Sequence, residues 1–292
     1  MIRQKFLTEI ESARLMLHQS GYKSIDYICN AIQNGTFVPE TVKHIIVSNK
    51  GETYSFSDSA DSSSNPFDAW QQDSVAIIPL TGLMLKERYW WEHGAGMDDI
   101  AAVIRQAYES ANISSVIIKF DTPGGNTDSI FLLQEVLSKK IKPTFGYVDG
   151  MCASCGYIVA SYLDKIYSIN KMARIGGVGV FARMLIPNDK DSYYKVVEAY
   201  PEESKDKNLP ERELAAGNDT PMKEQLSKLA VYFQDLVTDN RPKIPAEALT
   251  GKIYYSYEAE KLSMIDGVRT LSEVITEITK LVESRKQILF NL

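Results

Sequence analysis

The chain has 292 residues, 44% hydrophobic and 24% charged, with a formal net charge of −6. That is length for one large domain or two modest ones with a core that needs no staples, and the acidic balance argues against the basic patch of non-specific nucleic-acid binding. Cys29, Cys152 and Cys155 are too few for a disulfide scaffold, and the longest apolar-leaning stretch, Val75–Leu85, falls short of the ~20 residues of a membrane span.

Arg3, Lys5, Glu9, Glu11 and Arg14 leave no apolar h-region for a signal peptide. The expectation is a protein of a reducing interior, without nucleic-acid or membrane partners. Phe6, Ile10, Ala13 and Leu17 recur at helical spacing, and Ser24–Asn34 reads as a second short helix. His44–Val47 reads as a strand. Ser55–Asn65 holds six serines, two aspartates and an asparagine, and reads as a linker. The expected division is a small, mostly helical N-terminal region over 1–54, a polar linker over 55–73, and one domain over 74–292.

Beyond residue 73 strands and helices alternate. Val75–Leu80, Ser115–Phe120, Thr144–Val148 and Lys165–Ile169 are strand candidates; Asp98–Ser110, Asp128–Lys139 and Cys155–Leu163 are helix candidates. This order predicts βαβ units, hence an α/β fold with a mainly parallel sheet and flanking helices. Thr220-Pro221 is expected as N-cap and N1 of a helix carrying Met222, Leu226, Leu229, Phe233 and Leu236 on one face. Leu271, Val274, Ile275, Ile278, Leu281 and Val282 mark a last amphipathic helix whose stripe is expected to pack into the core.

Three segments carry candidate chemistry. Asp121-Thr122-Pro123-Gly124-Gly125-Asn126 follows the SVIIKF strand, and its glycines suit a tight turn that exposes backbone N–H groups. Taken alone, it reads first as a plain βα turn. Gly150–Tyr157 crowds small residues around Ser154 at a strand-to-helix junction, where the following N–H, that of Cys155, can face a developing oxyanion. Arg174–Val180 is glycine-rich without the Lys-Ser/Thr of a phosphate loop, so its glycines suit a close backbone approach or a corner. Cys152 and Cys155 also spell C-x-x-C. A redox pair or half a zinc site is the sharper reading, and two buried small residues the plainer one.

In this order, VAIIPLTGLM, DTPGG, GMCASCGYIVASYLDKIYS, IGGVGV and GKIYYSYEAEKLSMIDGV resemble the signal peptide peptidase A family of serine peptidases, with its Clp-protease/crotonase fold. The resemblance runs from about Val75 to Gly267. It implies Ser154 as nucleophile, backbone N–H groups of Gly124, Gly125 and Cys155 as the oxyanion hole, and Pro123, Gly156, Gly176 and Gly177 along the substrate groove. It implies a lysine base some fifty residues after the serine, following a strand for which Tyr194–Ala199 is available. Lys205 falls there, before Asp206. Pro201-Glu202-Glu203 replaces the family's usual glycine, so Lys207 stays an alternative, and His93 a remote one. No cofactor or metal is implied.

A lysine that acts as base at neutral pH must be desolvated, because the free amine has a pKa of ~10.4 and a useful base sits near ~7–8. The resemblance implies a homo-oligomer acting on peptide or unfolded protein, with Lys205 able to serve Ser154 of a neighbouring subunit. It resembles the phage type that cuts scaffold in a procapsid, with a soluble, signal-peptide-peptidase-like housekeeping peptidase as the next reading, so the expected location is the cytoplasm or a procapsid. The alternatives are a non-catalytic assembly protein that keeps the fold, a crotonase-type acyl-CoA enzyme, and a dithiol oxidoreductase.

Overall fold

The computed structural model describes residues 65–87, 96–182 and 200–290, together with three strands nearer the N-terminus. In chain order the elements are β1 (Leu15–Leu17), β2 (Lys43–Val47), β3 (Thr53–Ser57), β4 (Ser74–Met84), α1 (Met97–Glu109), β5 (Ile113–Asn126), α2 (Asp128–Ser138), β6 (Thr144–Ala153), α3 (Cys155–Ser161), β7 (Lys165–Ser168), β8 (Arg174–Gly176), α4 (Leu209–Ala215), α5 (Thr220–Asn240), β9 (Ile253–Tyr255), α6 (Ser256–Lys261), β10 (Gly267–Val268) and α7 (Leu271–Phe290). The main sheet runs β10-β7-β6-β5-β4-β2-β3. Neighbours from β10 to β4 are parallel, and β2 and β3 add an antiparallel edge. The expected α/β architecture with a mainly parallel sheet is present, its crossovers supplied by α1, α2 and α3.

The alternation of strand side chains sorts the core onto two faces. Ala76, Ile78 and Leu80 of β4, with Val116, Ile118 and Phe120 of β5, pack against α1, α2 and α3. Val75 and Ile77, Ile117, and Phe145 and Tyr147 of β6 point the other way, onto Val274 and Ile278 of α7. The apolar stripe of α7 is therefore core, as its spacing predicts. Each fully buried Ile or Phe of this kind contributes ~1.5–3 kcal/mol relative to exposure. Burial also raises the Tyr108 hydroxyl on α1 to about 12, despite its 2.7 Å hydrogen bond with Thr144 Oγ1.

The N-terminal region departs from expectation. Leu15–Leu17, read as the end of a helix, form a strand. The rest of that helix and the helix over 24–34 lie outside the described residues, as do the strand over 194–199 and His93. His44–Val47 is a strand as expected, pairing with β4 and with β3. Part of the segment read as linker, Ser55–Ser57, lies in β3: Phe56 and Tyr54 alternate with serines, and pairing to β2 outweighs the polar composition. Phe67 is fully buried in a 3₁₀ turn, Pro66–Ala69, so the hydrophobic core begins before residue 74. At the other end, α5 starts one residue earlier than read, with Asp219 as N-cap and Thr220 inside the helix.

Candidate active site

The site is built where β5 and β6 part. β6 pairs with β5 from Val116–Thr144 to Thr122–Cys152, then bends at Ser154 into α3. Ser154 adopts φ 57° and ψ −121°, a conformation that L-residues rarely occupy. Such strain costs of order 1–3 kcal/mol and persists only where the surroundings fix it. Three contacts do so. Ser154 N–H donates to Gly176 O at 2.7 Å, Gly177 N–H donates to Lys252 O at 2.8 Å, and β8 is clamped between β6 and β9. Ser154 is 3% exposed and its Oγ has no hydrogen-bond partner among the described residues. A strained serine on a sharp strand-to-helix turn is the geometry of a nucleophile elbow.

The Pro123-Gly124-Gly125 segment is not the tight turn expected. β5 continues extended to Asn126, still paired with β4 at Leu83–Gly124 and Met84–Gly125, across a register shift opposite Gly82. Gly124 has φ 99°, open only to glycine at low cost. A Cβ on Gly125 would lie 1.9 Å from Met84 O, so this residue is glycine because a neighbouring backbone occupies its side-chain space. Thr122 fixes the bend: its hydroxyl donates to Gly82 O at 2.6 Å and accepts from Gly124 N–H at 3.1 Å. That acceptor stands against Gly124 as an oxyanion donor, since its N–H is directed to Thr122. Thr122 was not singled out in the sequence, although a hydroxyl two residues before glycine is a recognised turn signal.

Cys155 links the two halves. Its thiol donates to Gly125 O at 3.3 Å and to Asn126 O at 3.6 Å, which holds the first turn of α3 against the glycine segment. Burial pushes this thiol to about 12, and burial pushes Cys152 well above its ordinary value. A dithiol oxidoreductase needs the opposite, an exposed thiol with a lowered pKa. C-x-x-C is here a pair of buried protonated thiols, one a positioning residue.

The glycines expected along the groove divide in role. Gly156 is buried, and a Cβ there would meet Thr122 Cγ2 at 2.5 Å, so it lets α3 approach β5 and does not line a groove. Gly176 and Gly177, with φ of 112° and 66°, turn the corner that braces Ser154. Pro123 is partly exposed on β5.

Lys205 lies elsewhere in chemical terms. It follows a 3₁₀ turn, Glu202–Ser204, with a side chain 63% exposed and Nζ 2.8 Å from Glu202 Oε1. Its carbonyl accepts from the Arg212 guanidinium, which stacks on Tyr200 with its carbon 4.0 Å from the ring centre. Lys207 is exposed too. Ser154 Oγ has no partner among the described residues, so neither Lys205 nor Lys207 is hydrogen-bonded to it within this chain. The desolvation expected of a base is not met here: the lysine segment is a solvated, charged face of a single subunit.

A sequence model of peptidase family S49 matches residues 136–285, about half of the chain. The chain belongs to peptidase family S49. The matched span holds Ser154, Cys155, Gly176, Gly177 and Lys205, and begins after Gly124 and Gly125. Protease 4 of Haemophilus influenzae is 27% identical over 127 residues, 42% of this chain and 20% of that protein. Capsid assembly protease C of Escherichia phage lambda is 25% identical over 113 residues, 37% of this chain and 26% of that protein. A putative protease of Methanocaldococcus jannaschii is 25% identical over 184 residues, 58% of this chain and 57% of that protein. This S49 chain thus spans between a fifth and three fifths of the length of these relatives. Among its described residues, no helix is long and apolar enough to cross a membrane.

Proposed function

We propose that this chain is a serine endopeptidase in which Ser154 is the nucleophile and Lys205, supplied by a neighbouring copy of the chain, is the base. The carrying observation is the buried, unpartnered Ser154 Oγ on a strained elbow, held against the Gly124–Gly125 segment by the Cys155 thiol. Membership of a peptidase family supports the reaction class. Ser154 Oγ attacks the scissile carbonyl and its proton passes to the lysine amine. The N–H groups of Gly125 and Cys155 hold the oxyanion, and each such donor is worth about 3–4 kcal/mol in the transition state. The lysine returns the proton to the leaving amine, and water then opens the acyl-enzyme. Docking of the 202–212 face against a second subunit supplies the desolvation that a base requires and draws Lys205 away from Glu202.

The relative named as a capsid assembly protease supports a scaffold-processing role, with unfolded or extended protein as substrate and the cytoplasm or a procapsid as its place. One observation favours a second reading, a non-catalytic assembly protein: Lys205 is paired with Glu202 and not with Ser154. Casein digestion separates the two. Wild type is expected to cut, and Ser154→Ala and Lys205→Ala each to lose at least ~10³-fold in rate. Mixing the two inactive variants is expected to restore about a quarter of wild-type activity, because a randomly mixed ring contains some intact shared sites. An inert wild type at every concentration supports the assembly reading, and no recovery on mixing removes the shared site.

A further inference from the structure

β5 has two edges at its C-terminal end, and they are covered differently. Toward β4 it is paired as far as Met84–Gly125. Toward β6 its pairing stops at Thr122–Cys152, because β6 turns into α3 at Ser154. Residues 124–126 are therefore a sheet edge on the side where β6 has bent away into Ser154. An exposed edge is a template for an added strand, since its N–H and C=O groups seek partners. In this chain the edge is taken: β1 pairs antiparallel with it, Leu15 with Asn126, Met16 with Gly125 and Leu17 with Gly124. Both sides of Gly124 and Gly125 are thus engaged, β4 on one and β1 on the other.

This edge is the one that an extended peptide must use to bring a carbonyl between Ser154 Oγ and the N–H groups of Gly125 and Cys155. We propose that Leu15–Leu17 is an intramolecular occupant of the peptide-binding edge, holding the site of the resting chain closed to substrate; the inference rests on the peptidase reading above. A tethered strand competes at an effective concentration of ~mM, so an external segment at micromolar concentration is at a disadvantage until β1 is displaced. The pairing to be displaced spans three residues, so the closure is reversible.

The test uses the full chain carrying Ser154→Ala, which separates occupancy from catalysis. Met16→Pro/Leu17→Pro removes one edge-facing N–H whichever way the strand alternates, and Leu15→Gly/Met16→Gly/Leu17→Gly is a second, milder variant. The probe is a fluorescein-labelled peptide of residues 11–20. Either variant is expected to bind it at least ~10-fold more tightly than the chain with its unaltered N-terminus does, and to lose hydrogen-exchange protection within Gly125–Asn126. With Ser154 restored, KM for a peptide substrate falls about as much at unchanged kcat. Unchanged binding together with unchanged exchange in both variants overturns the inference, as does protection that falls on dilution, which assigns the strand to another copy. Tighter binding with no hydrolysis by any form keeps the occupied edge and overturns the peptidase reading alone.

Discussion

The segment around Ser154 and the segment around Lys205 belong to one proposed dyad, yet they are built by different rules. Ser154 is gripped from four directions: β6 before it, α3 after it, Gly176 at its amide and the Cys155 thiol one residue on. The last two draw on parts of the chain distant in sequence, Gly176 and Gly125. Lys205 is held by neighbours within seven residues, Glu202 on its side chain and Arg212 on its carbonyl. The first arrangement pays a strain cost that only a finished fold can meet. The second is what an isolated charged turn does in water. Among the described residues, Ser154 is braced by the rest of its own chain, whereas Lys205 stays on a solvated face.

The contrast can be broken by substitution. Gly125→Ala is expected to have the largest effect, a loss above ~3 kcal/mol in urea unfolding, because its Cβ would enter the Met84 carbonyl. Thr122→Val leaves Gly124 N–H without its acceptor and is expected to cost about 1–3 kcal/mol, with a fall in kcat larger than any change in KM. Ser154→Gly removes activity but releases the backbone strain, so its thermal midpoint is expected to rise by an amount equivalent to about 1 kcal/mol. Glu202→Gln breaks only an exposed ion pair, and the monomer's stability is expected to change by less than ~0.5 kcal/mol. A large loss at Glu202, or none at Gly125, would erase the distinction.

Much of the fold is legible from periodicity, because β4, β5, β6 and α7 each bury one alternating or helical face whose residues are apolar in sequence. Ser154 is legible too, as the one hydroxyl among small residues at a strand-to-helix junction. Other features are not. Leu15–Leu17 sit in a run with helical spacing, and their strand conformation comes from an edge more than a hundred residues away, which no local pattern encodes. The same holds for Gly156, whose absent side chain answers to Thr122, and for the Gly124 N–H, diverted by a hydroxyl two residues back. The setting of Lys205 escapes for a further reason: its exposure and its pairing with Glu202 depend on how the 202–212 turns fold, which the charged composition alone does not fix.

The corner that braces Ser154 is finished by Lys252 and Ile253, and the Tyr157 hydroxyl of α3 donates to Met264 O at 2.7 Å. During synthesis, therefore, the elbow emerges from the ribosome about a hundred residues before the parts that hold it in shape, and at elongation rates of ~5–20 residues per second it spends several seconds unbraced. A growing chain therefore cannot hold the strained serine until residues 252–264 have been made and folded back onto it.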